Sequence, residues 1–168
     1  MQIAIISDSH DNVINLEKII TWLNEKKIFI LIHTGDLCAP SLLKETIGPK
    51  YKGKVHMILG NVGDPVILEQ IAADFPNVKY YGQKGEVEID KRKIAFVHTP
   101  QQAEELTQDG EYDLVIFGHT HLAEIKELND NLVVNPGTLG GLYNEATFAI
   151  YDTESDNVEI KKLDEINK

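Results

Sequence analysis

The stretch Ile3-Ala4-Ile5-Ile6-Ser7-Asp8-Ser9-His10 is an apolar run that stops on a carboxylate and an imidazole. Short, apolar and closed by polar residues, residues 2–7 read as a buried parallel strand. If the chain stays extended there, Asp8 and His10 point the same way, because strand side chains alternate. Two metal-ligand types would then sit together at the end of a buried strand. The pair also fits a turn with a helix cap. Residues 12–26 follow with a helical pattern, placing Ile14, Leu16, Ile19, Ile20 and Leu23 on one broad apolar side. A short motif needs context before it carries chemistry, and the rest of the chain supplies that context.

Residues 28–32 read as a second strand, ending in His33-Thr34-Gly35-Asp36. Residues 41–46 read as a short helix with Ser41 as N-cap after Pro40. Residues 54–59 form a third strand ending in Gly60-Asn61, and Pro65 opens a helix to about residue 74. This order is β-α-β-α-β, which argues for a parallel sheet with its ligands outside the strands' carboxyl ends. Beyond it, residues 86–90 and 93–97 look like a hairpin with His98 at its end. Residues 101–108 suit a modest helix, and residues 113–117 a buried strand ending in Gly118-His119-Thr120-His121. Residues 123–128, 132–135, 147–151 and 158–162 read as short strands between turns, and residues 164–168 are expected to fray. Two sheets in one core with helices outside fit this order better than one open sheet. Without repeats, linkers or low-complexity runs, residues 1–168 are expected to form one domain.

Composition narrows the function. The apolar fraction of 42% and charged fraction of 26% are those of a globular protein. No apolar run is long enough to span a membrane. No signal peptide is read at the N-terminus, and Cys38, the single cysteine, is expected to be a reduced thiol, so the expected location is cytoplasmic. The net charge of -11 disfavours a nucleic-acid backbone as partner. The one arginine, Arg92, falls in a charge run at the expected hairpin tip. A phosphate would find no arginine clamp, and bound cations would have to supply positive charge. Oligomeric state is open, a symmetric homodimer being the commonest soluble arrangement.

Five strand ends therefore carry Asp8 and His10, Asp36, Asn61, His98, and His119 with His121. Each alone has an ordinary reading: a strand-end histidine often bonds a carbonyl, and Gly-Asp or Gly-Asn is a common turn. Five together are not a chance pattern. Glycines at 35, 60 and 118 precede three of these ligand types, which suits close backbone approach. Seven side chains exceed the coordination of one transition ion, so two ions are expected, with Asp36 as the bridging carboxylate. The mixture of donors suits manganese, iron, zinc or nickel.

Asp8-x-His10, Gly35-Asp36, Gly60-Asn61, His98 and Gly118-His119-x-His121 resemble, in order and spacing over residues 3–150, the calcineurin-like metallophosphoesterase family. The short chain and the stretch Asn135-Pro136-Gly137-Thr138 resemble its small prokaryotic phosphodiesterase branch, which is similar to the retromer scaffold subunit of the same fold. The resemblance implies an α/β fold, a four-layer α-β-β-α sandwich of two mixed sheets flanked by helices. It implies one metal on Asp8, His10, Asp36 and His121 and another on Asp36, Asn61, His98 and His119, manganese foremost. Asp36 and Asn61 are the expected catalytic residues, with a metal-bridging hydroxide attacking a small phosphodiester substrate.

Two departures matter. Where many members follow the Gly-Asn asparagine with a histidine that can protonate the leaving alcohol, this chain has Val62. Loss of such an acid costs about 10²–10⁴-fold in rate on poor leaving groups. Asp64 is the nearest substitute acid, but it also reads as the cap of the Pro65 helix. Many members have His-Gly-His where this chain has His98-Thr99-Pro100. His33 is read as a residue behind the ligands, and His56 and Trp22 as packing. Cys38 is read as a buried small residue, and residues 135–141 as a turn that could line the site. The expected activity is a metal-dependent phosphodiesterase. A metal-binding scaffold without catalysis and a nuclease are the competing readings.

Overall fold

The computed structural model describes residues 1–108 and 111–166. Its elements in chain order begin β1 (Gln2–Ile6), α1 (Val13–Lys26), β2 (Ile30–His33), α2 (Gly48–Lys50), β3 (Lys54–Met57), α3 (Pro65–Ala73) and β4 (Val78–Tyr80). They continue with β5 (Gly85–Ile89), β6 (Arg92–Phe96), α4 (Pro100–Thr107), β7 (Leu114–Ile116), β8 (Glu124–Leu128), β9 (Asn131–Asn135), β10 (Thr147–Asp152) and β11 (Asn157–Lys162).

Two mixed sheets result. One has the order β11-β10-β1-β2-β3-β4, the other β5-β6-β7-β9-β8. In the first, β1 to β4 are parallel, with β10 antiparallel to β1. In the second, β6, β7 and β9 are parallel. β1 shows why its sequence is apolar at every position from Ile3 to Ile6. Ile3 and Ile5 pack with Phe96, Leu114 and Ile116 of the facing sheet, whereas Ala4 and Ile6 pack with Leu16 and Ile19 of α1. A strand covered on both faces has no polar side to show. A third apolar cluster joins Val97, Val115 and Phe117 to Ala103 of α4. The four layers are therefore helix, sheet, sheet and helix.

The helices carry their expected signals with corrections. α1 starts after Asn12, whose side chain accepts from the Asn15 amide, and its buried face is Leu16, Ile19, Ile20, Trp22 and Leu23. Ile14, expected on that face, is 77% exposed, because at 3.6 residues per turn it falls on the side of the helix opposite Leu16, Ile19 and Leu23. Trp22 packs edge-on against Phe148 at 5.3 Å. Ser41 is no cap: it already lies in the helical stretch. Carbonyls of Ala39 and Pro40 take the first amides there, and the helix passes through a π-helical turn, Leu43–Ile47. β4 was not foreseen; it is three residues long and lacks an apolar run. The expected fraying is also corrected. Leu163–Glu165 forms a 3-10 turn, Leu163 is fully buried, and its amide donates to the Ala146 carbonyl at 2.8 Å; the last two residues of that expectation lie outside the described residues. Arg92 is not merely solvated. Its guanidinium meets Asp113 at 3.3 Å and Asp156 at 3.1 Å, and donates to the Thr153 carbonyl, tying the β5–β6 hairpin to the β10–β11 turn.

Candidate metal centre

The carboxyl ends of β1, β2 and β3 meet those of β6 and β7 across the sandwich, and all seven candidate ligands lie on the turns that follow. The local backbone differs from the extended expectation. Asp8, His10, Asp36, His119 and His121 all have positive φ, between 41° and 69°. Asp8 and His10 are brought together by a left-handed turn, not by strand alternation. That turn is held by neighbours: the Asp8 amide donates to the Gly35 carbonyl and the His10 amide to the Asp36 carbonyl, both at 3.1 Å. Such conformations cost of the order of 1–3 kcal/mol each and persist only where surroundings over-determine them.

Each buried carboxylate uses one oxygen for the protein and turns the other inward. Asp8 Oδ2 accepts from the Ser7 hydroxyl at 2.5 Å and from the His119 amide at 2.9 Å. Asp36 Oδ1 accepts from the amides of Asn61 and Val62 at 2.8 and 3.0 Å. The free oxygens face histidines. Asp8 Oδ1 lies 3.3 Å from His121 Nε2 and 3.7 Å from His10 Nε2. Asp36 Oδ2 lies between two imidazoles, 3.8 Å from His10 Nε2 and 3.4 Å from His98 Nε2. Asn61 Oδ1 sits 2.8 Å from His98 Nε2 and 2.9 Å from His119 Nδ1. Donor atoms of Asp8, His10 and His121 thus converge within 4.8 Å, as do those of Asp8, Asp36 and His98.

Asp8 is fully buried, yet its Oδ1 has no hydrogen-bond partner among the described residues. A carboxylate oxygen in that state is costly unless a cation meets it. The histidines are oriented to match. His98 Nδ1–H donates to the Thr34 carbonyl at 2.8 Å, leaving Nε2 toward the carboxylates. His121 Nδ1 faces the Leu142 carbonyl at 3.4 Å, and His10 Nδ1 faces Cys38 Sγ at 3.4 Å. An outer partner on one ring nitrogen fixes which nitrogen points inward. The donor set therefore fits divalent metal.

Electrostatics say the same of the metal-free protein. Burial pushes the Asp36 carboxyl up, but the His98 hydrogen bond and charge and the Val62 and Asn61 amides bring it below its ordinary value. Burial pulls His98 down, but Asp36, the Thr34 carbonyl and Asp8 raise it overall. The site is anionic and takes up positive charge.

Glycines permit this closeness. A Cβ on Gly118 would lie 1.9 Å from Ser7 Oγ and 2.6 Å from Asp8 Oδ2, and one on Gly60 2.3 Å from Asp36 Oδ1. Residues 135–141, read as a turn that could line the site, buckle its loops together. The Leu139 and Gly140 amides donate to the Ser7 and Asp8 carbonyls, the Thr138 hydroxyl to the Asp8 carbonyl, and the Asn135 amide group to Gly118 and Thr120. Asn12 and Asn15 donate back to the carbonyls of Gly140 and Leu139. Ser7 was missed in the sequence, and Asn135 and Thr138, inside a stretch that was singled out, were not assigned these contacts; only small polar residues beside ligand positions hint at them.

The other candidates fall away from the ligand set. His33 is buried behind it, accepting from the Gly35 amide and facing Ser9 Oγ, with burial holding its pKa down to about 4. His56 bonds the Tyr81 hydroxyl at 2.8 Å. Cys38 is only half-buried, not the buried residue expected; burial, with Asp11, Asp36 and Asp8 nearby, pushes its thiol up to about 11. Asp64 caps α3, accepting from the Val66 and Ile67 amides at 2.9 and 3.0 Å. Val62 is exposed beside Asn61.

This arrangement of fold and side chains has relatives. The family model for the calcineurin-like phosphoesterase superfamily domain matches residues 1–156, and the chain belongs to that superfamily: it is a hydrolase of the metallophosphoesterase class. It is 34% identical over 158 residues to a phosphodiesterase of Methanocaldococcus jannaschii, covering 92% of this chain and 94% of that one. It is 27% identical over 149 residues to a probable metallophosphoesterase of Methanothermobacter thermautotrophicus, covering 82% of this chain and 77% of the other. Among solved structures, an archaeal phosphodiesterase superposes with a TM-score of 0.88 at 31% identity, covering 96% of this chain and 99% of that one. Chaetomium thermophilum Vps29 shares the fold, with a TM-score of 0.68 at 17% identity and 96% of each chain covered.

Proposed function

We propose that this protein is a divalent-metal-dependent phosphodiesterase of the cytoplasm, with small phosphodiesters as substrates. Asp8, His10, Asp36 and His121 would hold one cation, and Asp36, Asn61, His98 and His119 the other. The observation that carries this is the pair of half-used carboxylates, above all the buried Asp8 Oδ1 without a partner. The likeness, above 30% identity, to the Methanocaldococcus jannaschii phosphodiesterase and to the archaeal phosphodiesterase structure supports the diester over the monoester.

Two such cations, manganese foremost and nickel, iron or zinc as others, would supply Lewis-acid charge to phosphoryl oxygens and lower the pKa of bound water toward neutrality. The chain's own residues set the geometry. Asp36 is shared, its Oδ2 facing the imidazoles of both groups. Asn61 presents Oδ1 between His98 and His119 while its amide is fixed on Asp36. Val62, next along, has no proton to give, and Asp64 is engaged as a cap. Diesters with acidic leaving groups are therefore favoured over alkyl esters.

Hydrolysis of an aryl phosphodiester and its matching monoester, metal-stripped and then with manganese, nickel, zinc or magnesium, tests this. Diester turnover should require metal and fall about 10²–10³-fold or more in Asp36→Ala. No turnover with any metal by folded protein would move the reading to a scaffold.

A further inference from the structure

Large apolar side chains gather at the rim of the metal centre. Val62, Leu122, Leu142 and Tyr143 are all exposed. Val62 and Leu122 directly follow Asn61 and His121 in the chain. The Leu142 carbonyl faces His121 Nδ1 at 3.4 Å, and the Tyr143 ring lies 6.3 Å from the His121 ring, tilted by 30°. Tyr143 is 96% exposed, so packing within the chain does not account for it. Its backbone is also strained: φ is 65°, a left-handed conformation that a bulky residue rarely takes. Tyr143 is thus a fully exposed aromatic near the imidazole of His121, on a backbone conformation that side-chain packing within the chain does not impose.

The charge pattern indicates what it holds. The chain has a net charge of -11, and its one arginine is engaged at the hairpin tip. Among the described residues no lysine or arginine forms an ion pair with Asp8 or Asp36. Additional phosphates on a substrate would gain nothing here and would be repelled. A planar apolar group would gain a face to stack on.

We propose that Tyr143, with Leu142 and Leu122, forms a platform that binds an aromatic substituent attached to the phosphoryl group. This rests on the phosphodiesterase reading and adds a substrate class to it: diesters carrying an aromatic ring, in preference to alkyl diesters or polyphosphorylated strands.

Methylphosphonate and phenylphosphonate bind without being cleaved and differ only in the ring. Their affinities for manganese-loaded protein are measured by calorimetry, for the unmodified chain, Tyr143→Asn and Tyr143→Phe. Asparagine tolerates the left-handed backbone, so the first substitution removes the ring without adding strain. The unmodified chain should prefer phenylphosphonate by about 3- to 10-fold, the range of one aromatic contact. Tyr143→Asn should erase that preference by weakening phenylphosphonate alone, and Tyr143→Phe should keep it. Equal affinities in the unmodified chain, or a preference that survives Tyr143→Asn, overturn the platform. Turnover of methyl p-nitrophenyl phosphate on the same samples separates the two failures. Turnover without a phenyl preference removes only the platform; no turnover with any metal removes the phosphodiesterase reading and the platform with it.

Discussion

Asp8 and Asp36 divide their oxygens between two tasks, and Asp64 does not. Both Asp64 contacts go from backbone amides to a single oxygen at the start of α3. A capping aspartate is worth about 1 kcal/mol, so Asp64→Ala should lower the urea midpoint by that much. It should leave turnover of a diester with a poor, alkyl leaving group within about 3-fold, since removing a general acid would cost about 10²-fold or more there. A larger rate loss would restore Asp64 as the acid. Val62→His is the complement: it should raise turnover of poor leaving groups, and no gain in a folded, metal-binding variant would count against the missing acid. At this scale the sequence was legible in residue type. The seven candidate ligands could be picked out because each follows a strand. Which oxygen of each aspartate is free was not legible, since the Asp8 partner amide belongs to His119, 111 residues away.

The elements owe their spacing to what the connecting turns leave out. β1 and β7 lie in different sheets, yet their terminal turns touch through Gly118, where a Cβ would enter Ser7 and Asp8. Gly118→Ala should cost about 1–3 kcal/mol by overpacking. It should also weaken metal binding, because Asp8 cannot keep its place while the two turns separate. Thermal unfolding and metal titration of the variant check this; unchanged metal affinity would show that the turns give way elsewhere. Most elements could be read from hydrophobic period and punctuation. The exceptions have local reasons. β4 is short and half-exposed, with Val55 pairing with Val78 in the sheet. The helix after Pro40 needs no capping side chain because carbonyls do the work. Left-handed turns at five candidate ligands leave no periodic trace at all.

The whole molecule responds to acid through groups it buries. His33 lies inside the interface between turns with its pKa held near 4 by burial, below its ordinary 6.5. The folded protein keeps it neutral, while the unfolded chain takes up a proton as pH falls below 6.5. Stability from this group is therefore complete above that value and lost progressively down to about pH 4, by an amount of the order of 3 kcal/mol. Urea midpoints of metal-stripped protein at pH 7.5 and pH 5, compared with those of His33→Gln, should show a smaller acid loss in the variant. Equal losses would place the dependence on other groups. The sequence by itself determined most of the strand-helix order, two sheets in place of one, and the donor types at the strand ends, because each is written in local period and residue type. Only the tertiary structure decided that Asp8 keeps one oxygen unpartnered, which ring nitrogens point inward, and that Thr138 and Gly140 clamp the Asp8 turn. Those depend on hydrogen bonds spanning up to 130 residues, and such bonds exist only once the two sheets have packed.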